Sequence, residues 1–218
     1  MRKQERYSLV LERLKGLFPE ADTELNYDSS FHLLVAVILS AQCTDKRVNM
    51  VTPALFERFA DARSMAEASE EEIYSYIKSI SYPNAKSKNL KKMAERLHQV
   101  YGGEIPRDTD ELQTLAGVGR KTAMVMAAVL WRQDVMPVDT HVHRVSARIG
   151  LTLRAKNVLE TERQLLANLK GESDFADIHH RLILLGRYIC KARKPLCENC
   201  SLKEVCKYYN FKIKKSIK

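Results

Sequence analysis

Apolar side chains recur every three to four positions along most of this chain, which is the spacing that buries one face of an α-helix. No stretch alternates apolar and β-branched residues with polar ones in the manner of a strand, so the pattern predicts an all-α fold. The clearest predicted helices cover the ranges Tyr7–Phe18, Phe31–Ala41, Leu90–Val100, Arg120–Leu130 and Leu182–Ile189.

Small polar residues predict where several helices begin, because their side chains accept hydrogen bonds from the first backbone N–H groups. A proline in the first turn gives a similar signal, and a glutamate three residues after a serine suggests a capping box. The expected helix starts are Asp28-Ser29-Ser30, Thr52-Pro53, Ser69 with Glu72, Thr109, and Asn157 with Glu160.

Composition narrows the class of protein. Hydrophobic residues make up 45% of the 218 positions, which is enough for a substantial core. The longest purely apolar run, Leu33–Leu39, is far shorter than a membrane span needs, and no signal peptide is apparent. We therefore expect a soluble, cytoplasmic protein without membrane association.

The positive charge is concentrated at one end of the chain. The net charge is +9, and residues 187–218 contribute +8 of it. Such a segment is either a solvated basic tail or a patch that meets phosphate, and charge alone does not decide between them.

Four of the five cysteines fall within seventeen residues, in the spacing C-x6-C-x2-C-x5-C. Thiolates this close need a metal ion or a cluster to balance their charge, and disulfides are rare in the cytosol. Zinc and an iron–sulfur cluster both accept four thiolates, and the central C-x2-C favours zinc when spacing alone is considered. The four residues are Cys190, Cys197, Cys200 and Cys206, whereas Cys43 stands apart and is expected to pack in the core.

A glycine-rich hairpin is the most informative segment of the sequence. Gly117-Val118-Gly119 forms a tight turn between a short helix and the helix that begins at Arg120. The unpaired N–H groups at such a helix start suit a DNA phosphate, although an ordinary connection between helices has the same pattern.

Lys121 occupies an unusual place for a solubilising lysine. It lies in the first turn of a helix, where the macrodipole disfavours a cation, and Arg120 precedes it. Both effects suit an amine that attacks carbon. Asp139 is expected either to cap the next helix or to supply a carboxylate that stabilises positive charge on a sugar. His141 and His143 show no metal-ligand spacing, so we expect surface or capping roles for them.

Together these motifs resemble the endonuclease III family of helix-hairpin-helix DNA glycosylases, from roughly Phe31 to Cys206. The resemblance is carried by four segments: Leu39-Ser40-Ala41-Gln42-Cys43-Thr44-Asp45, Gly117-Val118-Gly119-Arg120-Lys121-Thr122-Ala123, Val138-Asp139-Thr140-His141 and the cysteine ending. It implies a 4Fe–4S cluster on the four cysteines, which replaces the preference for zinc.

The resemblance also implies an architecture and a reaction. The architecture is a six-helix, barrel-like domain over 23–134, a second helical domain from 1–22 and 135–218 that holds the cluster, and a DNA-binding cleft between them. The reaction is removal of oxidised pyrimidines from double-stranded DNA, followed by β-elimination at the abasic site through a Schiff base on Lys121. Asp139 would act with Lys121 across the cleft, and the enzyme would act as a monomer.

Further residues gain roles only through the resemblance. Gln42 matches a residue that fills the gap left by a flipped nucleotide, and the hairpin residues Gly117, Val118, Gly119 and Arg120 match a DNA-binding turn. Lys191, Arg193 and Lys194 match a cluster loop that touches phosphate.

The chain departs from the family pattern in places. Ala116 replaces a proline, and Val37 stands where the adenine-removing branch would carry glutamate. Tyr82 occupies a wedge position where relatives have a leucine-like residue, and it suits either stacking on a base or packing.

Two other functions fit parts of the pattern. A non-catalytic DNA-binding protein would use the hairpin and the basic end without cutting DNA, and its binding would weaken steeply with salt. An iron–sulfur electron carrier would use the cysteines alone, and it would leave the hairpin unexplained.

Overall fold

The computed structural model describes residues 3–171 and 174–213, and within these ranges the chain forms helices and turns without any strand. The chain divides into two compact units, Glu24–Trp131 and a second unit built from Met1–Thr23 and Arg132–Lys218. No helix among the described residues is long and apolar enough to cross a membrane.

The first unit is described throughout and contains seven α-helices. Six of them span six residues or more, and the seventh, α7, is the five-residue first arm of the glycine hairpin. The helices are α2 (Ser30–Ser40), α3 (Asp45–Arg58), α4 (Ala62–Glu67), α5 (Glu70–Ile77), α6 (Pro83–Tyr101), α7 (Thr109–Gln113) and α8 (Arg120–Trp131).

Helix α2 lies at the centre of the first unit because its buried residues, apart from His32, are apolar and cover every side of the helix. Nine consecutive residues, Phe31 to Leu39, are buried. Helices α3, α6 and α8 pack around α2, and α6 also packs against α4 and α5. The Ser29 side chain caps α2 by accepting a 3.1 Å hydrogen bond from the backbone N–H of His32.

The second unit holds α1 (Lys3–Leu17), α9 (Thr140–Ile149), α10 (Val158–Asn168) and α11 (Phe175–Leu184). Its core joins Val10 and Leu14 of α1 to apolar residues of α9, α10 and α11. Arg13 ties α1 to the cysteine-rich end of the chain, because its guanidinium donates to the Ser201 carbonyl and to the Glu204 carboxylate at 2.6 and 2.9 Å.

Two predicted helix starts are wrong. Pro53 lies inside α3, which begins at Asp45 and is capped by Thr44. Buried Val48 and Leu55 hold this helix to the core on either side of the proline, so packing outweighs the missing backbone hydrogen bond. The cap of α7 is Asp108, one residue before the expected Thr109, and its carboxylate accepts from two backbone N–H groups.

The capping box expected at Ser69 is only half formed. Ser69 accepts from the Glu72 backbone at 3.1 Å, but the Glu72 carboxylate pairs with Arg58 at 2.7 Å. A complete capping box occurs instead at α4, where Asp61 and Ser64 bond each other's backbone.

The last predicted helix has different bounds from the observed element. Helix α11 begins at Phe175, well before the expected Leu182, and its regular part ends at Leu184. A single π-helical turn, Leu185–Ile189, continues it to the cysteine segment. Buried His179 and His180 break the apolar pattern inside α11, which hid its true start.

Candidate functional site

The glycine hairpin is shaped by one glycine and anchored by the valine beside it. Gly117 adopts a left-handed φ of 81°, and a Cβ placed there would lie 3.1 Å from the Asn89 Cβ and 3.4 Å from the Ile38 Cγ2. The Val118 side chain is buried in the core, and its backbone N–H donates to the Leu115 carbonyl at 3.1 Å, so Val118 anchors the turn from both sides. Gly119 is exposed, and a Cβ there would meet no atom within 4 Å.

Lys121 follows this turn as the second residue of α8 and is exposed. Arg120 before it is also exposed, and its guanidinium lies 3.2 Å from the Met124 sulfur. The first four N–H groups of any α-helix lack partners within the helix, so the start of α8 offers hydrogen-bond donors beside two cations. This arrangement suits an anionic ligand such as a phosphate.

Asp139 caps α9 and is half-buried. Its Oδ1 accepts a 2.7 Å hydrogen bond from the backbone N–H of Val142. Capping uses one oxygen of the carboxylate, so the structural role expected for this residue is compatible with a chemical role for the other oxygen. Lys121 belongs to the first unit and Asp139 to the second.

The two histidines of α9 contact protein side chains. His143 Nδ1 lies 2.6 Å from the Thr161 hydroxyl of α10, and His141 Nδ1 lies 3.3 Å from the Arg144 guanidinium. Gly186 packs closely on His141, since a Cβ there would lie 2.9 Å from the His141 Cβ. Both side chains are half-buried and pack against other side chains, and neither caps a helix, so the surface or capping roles expected for them differ from these contacts.

The four clustered cysteines come together in the folded chain. All four line one cavity, whose other walls include the apolar side chains of Ile149, Leu185, Ile189 and Pro195. Among the described residues no group of three or more histidines, cysteines and acids is arranged to hold a single metal ion.

Burial sets the electrostatics of the cysteine cavity. It raises the pKa of the thiols of Cys197, Cys200 and Cys206, and the neighbouring cysteines raise it further. Four thiolates in this cavity therefore need a positively charged partner that binds sulfur. Iron in an iron–sulfur cluster meets that need, so the donor set fits the cofactor that the sequence implies.

Arg148 of α9 organises the basic loop 191–194. Its guanidinium donates to the carbonyls of Lys191 and Ala192 at 2.7 and 2.9 Å and lies 3.6 Å from the Cys190 sulfur. The side chains of Lys191, Arg193 and Lys194 are exposed, and Lys194 adopts a left-handed φ of 50°. The loop thus exposes three cationic side chains, and Arg148 holds its backbone in place through hydrogen bonds to two carbonyls.

Gln42 and Tyr82 are both exposed and both adopt left-handed backbone conformations, with φ of 54° and 56°. Non-glycine residues pay a conformational cost there, and such strain is concentrated at functional sites. Cys43 packs partly buried against the core, as expected. Sequence reasoning missed buried Lys86, whose ammonium donates to the carbonyls of Leu39 and Ala41 at the end of α2.

Two family models match this chain. A model described as "HhH-GPD superfamily base excision DNA repair protein" matches residues 35–170. A second, described as "Iron-sulfur binding domain of endonuclease III", matches residues 190–206, the span that contains the four clustered cysteines.

Individual relatives align over nearly the whole chain. Endonuclease III of Bacillus subtilis (strain 168) is 44% identical and covers 90% of each chain. Endonuclease III of Rickettsia felis is 47% identical over 88% of this chain and 89% of its own length. Endonuclease III of Escherichia coli (strain K12) is 41% identical over 91% of this chain and 93% of its own length.

Solved structures show the same fold. A trapped endonuclease III–DNA covalent intermediate is 40% identical, with a TM-score of 0.89 and all of each chain covered. A thermostable thymine-DNA glycosylase, at 21% identity and a TM-score of 0.84 over 94% of this chain and 97% of its own, shares the fold.

Proposed function

Because the chain belongs to the endonuclease III family of helix-hairpin-helix base-excision repair proteins, we propose that it removes oxidised pyrimidines, such as thymine glycol, and cuts the strand through a Schiff base on Lys121. The protein is a DNA-binding glycosylase and lyase, and its cofactor is a 4Fe–4S cluster. Exposed Lys121, directly after a hairpin suited to phosphate, is the observation that carries the proposal.

The chemistry begins at the sugar of the damaged nucleotide. The Lys121 nitrogen attacks C1′ with its lone pair, and the damaged base leaves with the bonding electrons of the glycosidic bond and takes up the proton that the nitrogen loses. The C1′–O4′ bond then breaks, O4′ takes up a proton, and the nitrogen lone pair forms an iminium ion between Lys121 and C1′. Loss of a C2′ proton then breaks the C3′–O bond and releases the strand on the 3′ side, which keeps the phosphate at its 5′ end. Water then hydrolyses the iminium ion and frees the lysine from the remaining strand. A similar endonuclease III has been trapped as a covalent intermediate with DNA.

Asp139 supplies the carboxylate of this reaction. Positive charge develops on the sugar as the base leaves, and a carboxylate stabilises it and moves protons between the groups. As the N-cap of α9, Asp139 accepts a hydrogen bond from the Val142 N–H through Oδ1, and this bond fixes the orientation of the side chain. A fixed orientation is what a residue needs to meet a charge that exists only in the transition state.

DNA binding uses three groups of residues. At the hairpin, Gly117 and Gly119 let the backbone come close to phosphate, Val118 anchors the turn through its buried side chain and its 3.1 Å N–H bond to the Leu115 carbonyl, and Arg120 adds a cation. The loop residues Lys191, Arg193 and Lys194 meet phosphate, and Gln42 fills the gap left by the extruded nucleotide. The substrate is double-stranded DNA with a damaged pyrimidine or an abasic site, and the enzyme acts as a monomer.

The cysteines hold the cofactor that supports the basic loop. Cys190, Cys197, Cys200 and Cys206 would bind the 4Fe–4S cluster, which when bound supplies iron–thiolate bonds. Those bonds fix both ends of the segment that carries the basic loop. Arg148 fixes the middle of the loop through its carbonyl contacts.

Borohydride trapping tests the nucleophile directly, since it reduces the iminium ion to a stable amine that joins protein to DNA. Wild-type protein should become covalently linked to a duplex that contains thymine glycol, and Lys121→Gln should not. Lys92→Gln, a change of an exposed lysine on α6, is the matched control and should trap like wild type. Trapping by Lys121→Gln at the wild-type level would show that another amine is the nucleophile.

A second measurement separates binding from chemistry. Lys121→Gln should bind a lesion duplex with nearly wild-type affinity, because one lysine contributes little to an interface dominated by phosphate contacts. If wild-type protein binds such duplexes but neither traps nor cuts them, the protein is a non-catalytic DNA-binding member of the family.

A further inference from the structure

We propose that Lys86 is a positioning residue that locks the Gln42 turn and the Tyr82 turn together, so that both side chains enter the duplex as one unit. The inference rests on the proposed function, because it concerns how the enzyme keeps a duplex open at the damaged nucleotide. Lys86 lies on α6 and makes no contact with the reacting atoms in this scheme.

The contacts of Lys86 reach both turns. Its Nζ donates to the Leu39 carbonyl at 2.8 Å and to the Ala41 carbonyl at 2.7 Å. Gln42 is the next residue after Ala41, so the ammonium holds the backbone from which the Gln42 turn departs. The Lys86 backbone N–H donates to the Tyr82 carbonyl at 3.1 Å. This backbone bond is the ordinary first i→i−4 bond of α6 and does not depend on the lysine side chain. The Lys86 ammonium therefore ties the backbone at the Gln42 turn to the first turn of α6, which directly follows Tyr82.

A lysine at this position has a physical reason to be charged although it is buried. Its side chain is 6% exposed, and burial lowers the pKa of the amine. The last carbonyls of a helix lack partners within it and form the negative end of its dipole. An ammonium satisfies two such carbonyls at the end of α2, so removing it leaves buried acceptors unpaired.

The two turns need support because both are strained. Gln42 and Tyr82 adopt left-handed φ values, which non-glycine residues keep only when the surroundings fix them. The Tyr82 side chain is 65% exposed, and it makes no side-chain cap for α6. Since packing does not account for its exposed ring, Tyr82 is suited to stacking on a base.

The side chains at the two turns are complementary in a duplex. An amide such as Gln42 donates and accepts hydrogen bonds in the space that an extruded nucleotide leaves. An aromatic ring such as Tyr82 stacks on the base that has lost its partner. Both tasks exist only in double-stranded DNA, so Lys86 should matter for duplex substrates and not for single strands.

The experiment compares abasic-site cleavage in a duplex with cleavage in the same strand alone. Lys86→Met should lose roughly tenfold to a hundredfold of the duplex rate, as expected when groups are misplaced by about 1 Å. Its single-strand rate should stay at the wild-type value, which also shows that the variant is folded. Lys86→Gln keeps an N–H donor of shorter reach, so its duplex rate should lie between those of wild type and Lys86→Met. It serves as the test if the methionine variant does not fold.

Lys91→Met is the matched control. Lys91 lies on the same helix, and its ammonium likewise donates to a backbone carbonyl near a helix end, that of Ala66 in α4. Its loss should leave both rates unchanged. Equal losses on duplex and single strand for Lys86→Gln, or no duplex loss for either Lys86 variant, would overturn the proposal.

A binding readout distinguishes this proposal from the proposed chemistry. The fluorescence of 2-aminopurine placed opposite a tetrahydrofuran abasic analogue reports on insertion and needs no catalysis. Saturating wild-type or Lys91→Met protein should change the signal, and Lys86→Met or Lys86→Gln should reduce that change. An inactive wild type with a normal signal would refute the lyase chemistry alone, whereas equal signals from Lys86 and Lys91 variants would refute the role of Lys86.

Discussion

Gly117 and Gly119 stand two residues apart in one turn, yet alanine should affect them in opposite ways. Gly117→Ala forces a left-handed conformation on a residue with a Cβ, at a cost of about 1–2 kcal/mol. The new methyl would also lie 3.1 Å from the Asn89 Cβ, so α6 or the hairpin must shift. A less flexible unfolded chain offsets about 0.4–1 kcal/mol of these costs. Strain less this offset leaves roughly 0–1.6 kcal/mol, and the close contact with Asn89 adds to it, so we expect a net loss of about 1–2 kcal/mol in the free energy of unfolding.

Gly119→Ala should leave stability nearly unchanged. Its φ lies outside the left-handed region, and the new Cβ would meet no atom within 4 Å. An unstrained alanine there should change stability by less than about 0.5 kcal/mol. For a chain of this size 1 kcal/mol corresponds to about 2–4 °C in Tm. Thermal unfolding of the cluster-loaded proteins should therefore show a lower Tm for Gly117→Ala only.

For duplex affinity we expect Gly119→Ala to be the more damaging of the two substitutions. A methyl group at the exposed Gly119 lies where a phosphate would approach the backbone, so duplex affinity should fall roughly tenfold, or about 1.4 kcal/mol. Titration of a labelled lesion duplex at fixed salt measures this loss. If Gly119→Ala binds like wild type, or if both variants lose the same stability, the assignment of Gly117 to folding and Gly119 to phosphate approach is wrong.

Two further predictions concern the second unit. Asparagine caps helices as well as aspartate does, so Asp139→Asn should keep Tm near the wild-type value. Its rate of base excision should nevertheless fall roughly 10²–10⁴-fold, because the carboxylate is lost. Asp139→Ala should lose the same activity and, in addition, about 1 kcal/mol of stability. Burial lowers the pKa of His180 in the folded protein. Between about pH 6.5, where the unfolded chain titrates, and that lowered pKa, the unfolded chain therefore binds a proton that the folded chain does not. The free energy of unfolding should then fall as the pH drops from that value towards the lowered pKa. His180→Phe should flatten this slope, and an unchanged slope would refute the assignment.

Local sequence signals predicted the features that depend on a few neighbouring residues. Ser29 and Asn157 cap helices as expected, because a cap forms between a side chain and the backbone two or three residues later. The hairpin was recognisable for the same reason, since Gly117 needs a left-handed φ that few other residues accept. Asp139 illustrates the limit of such signals, because its cap was predictable but its chemical role rests on the family resemblance.

Features that depend on distant parts of the chain were not predictable from local patterns. Pro53 usually marks a helix start, but buried neighbours on both sides carry α3 through it. Lys86 looks like any lysine of an amphipathic helix, and only the approach of α2 turns it into a buried contact. The π-helical turn after α11 likewise has no signal in the sequence, and it precedes Cys190.

Two kinds of basic residue matter for the proposed function, and net charge does not tell them apart. Lys191, Arg193 and Lys194 are exposed and contribute to a surface that suits phosphate. Lys86 and Arg148 instead direct their charge inward and donate to backbone carbonyls. Each inward cation holds the backbone close to a left-handed, non-glycine residue: Lys86 bonds the carbonyl before Gln42, and Arg148 bonds two carbonyls of the loop that contains Lys194. Neutralising an inward cation should therefore weaken duplex recognition by distorting a turn, with less change in salt dependence than the loss of an exposed cation.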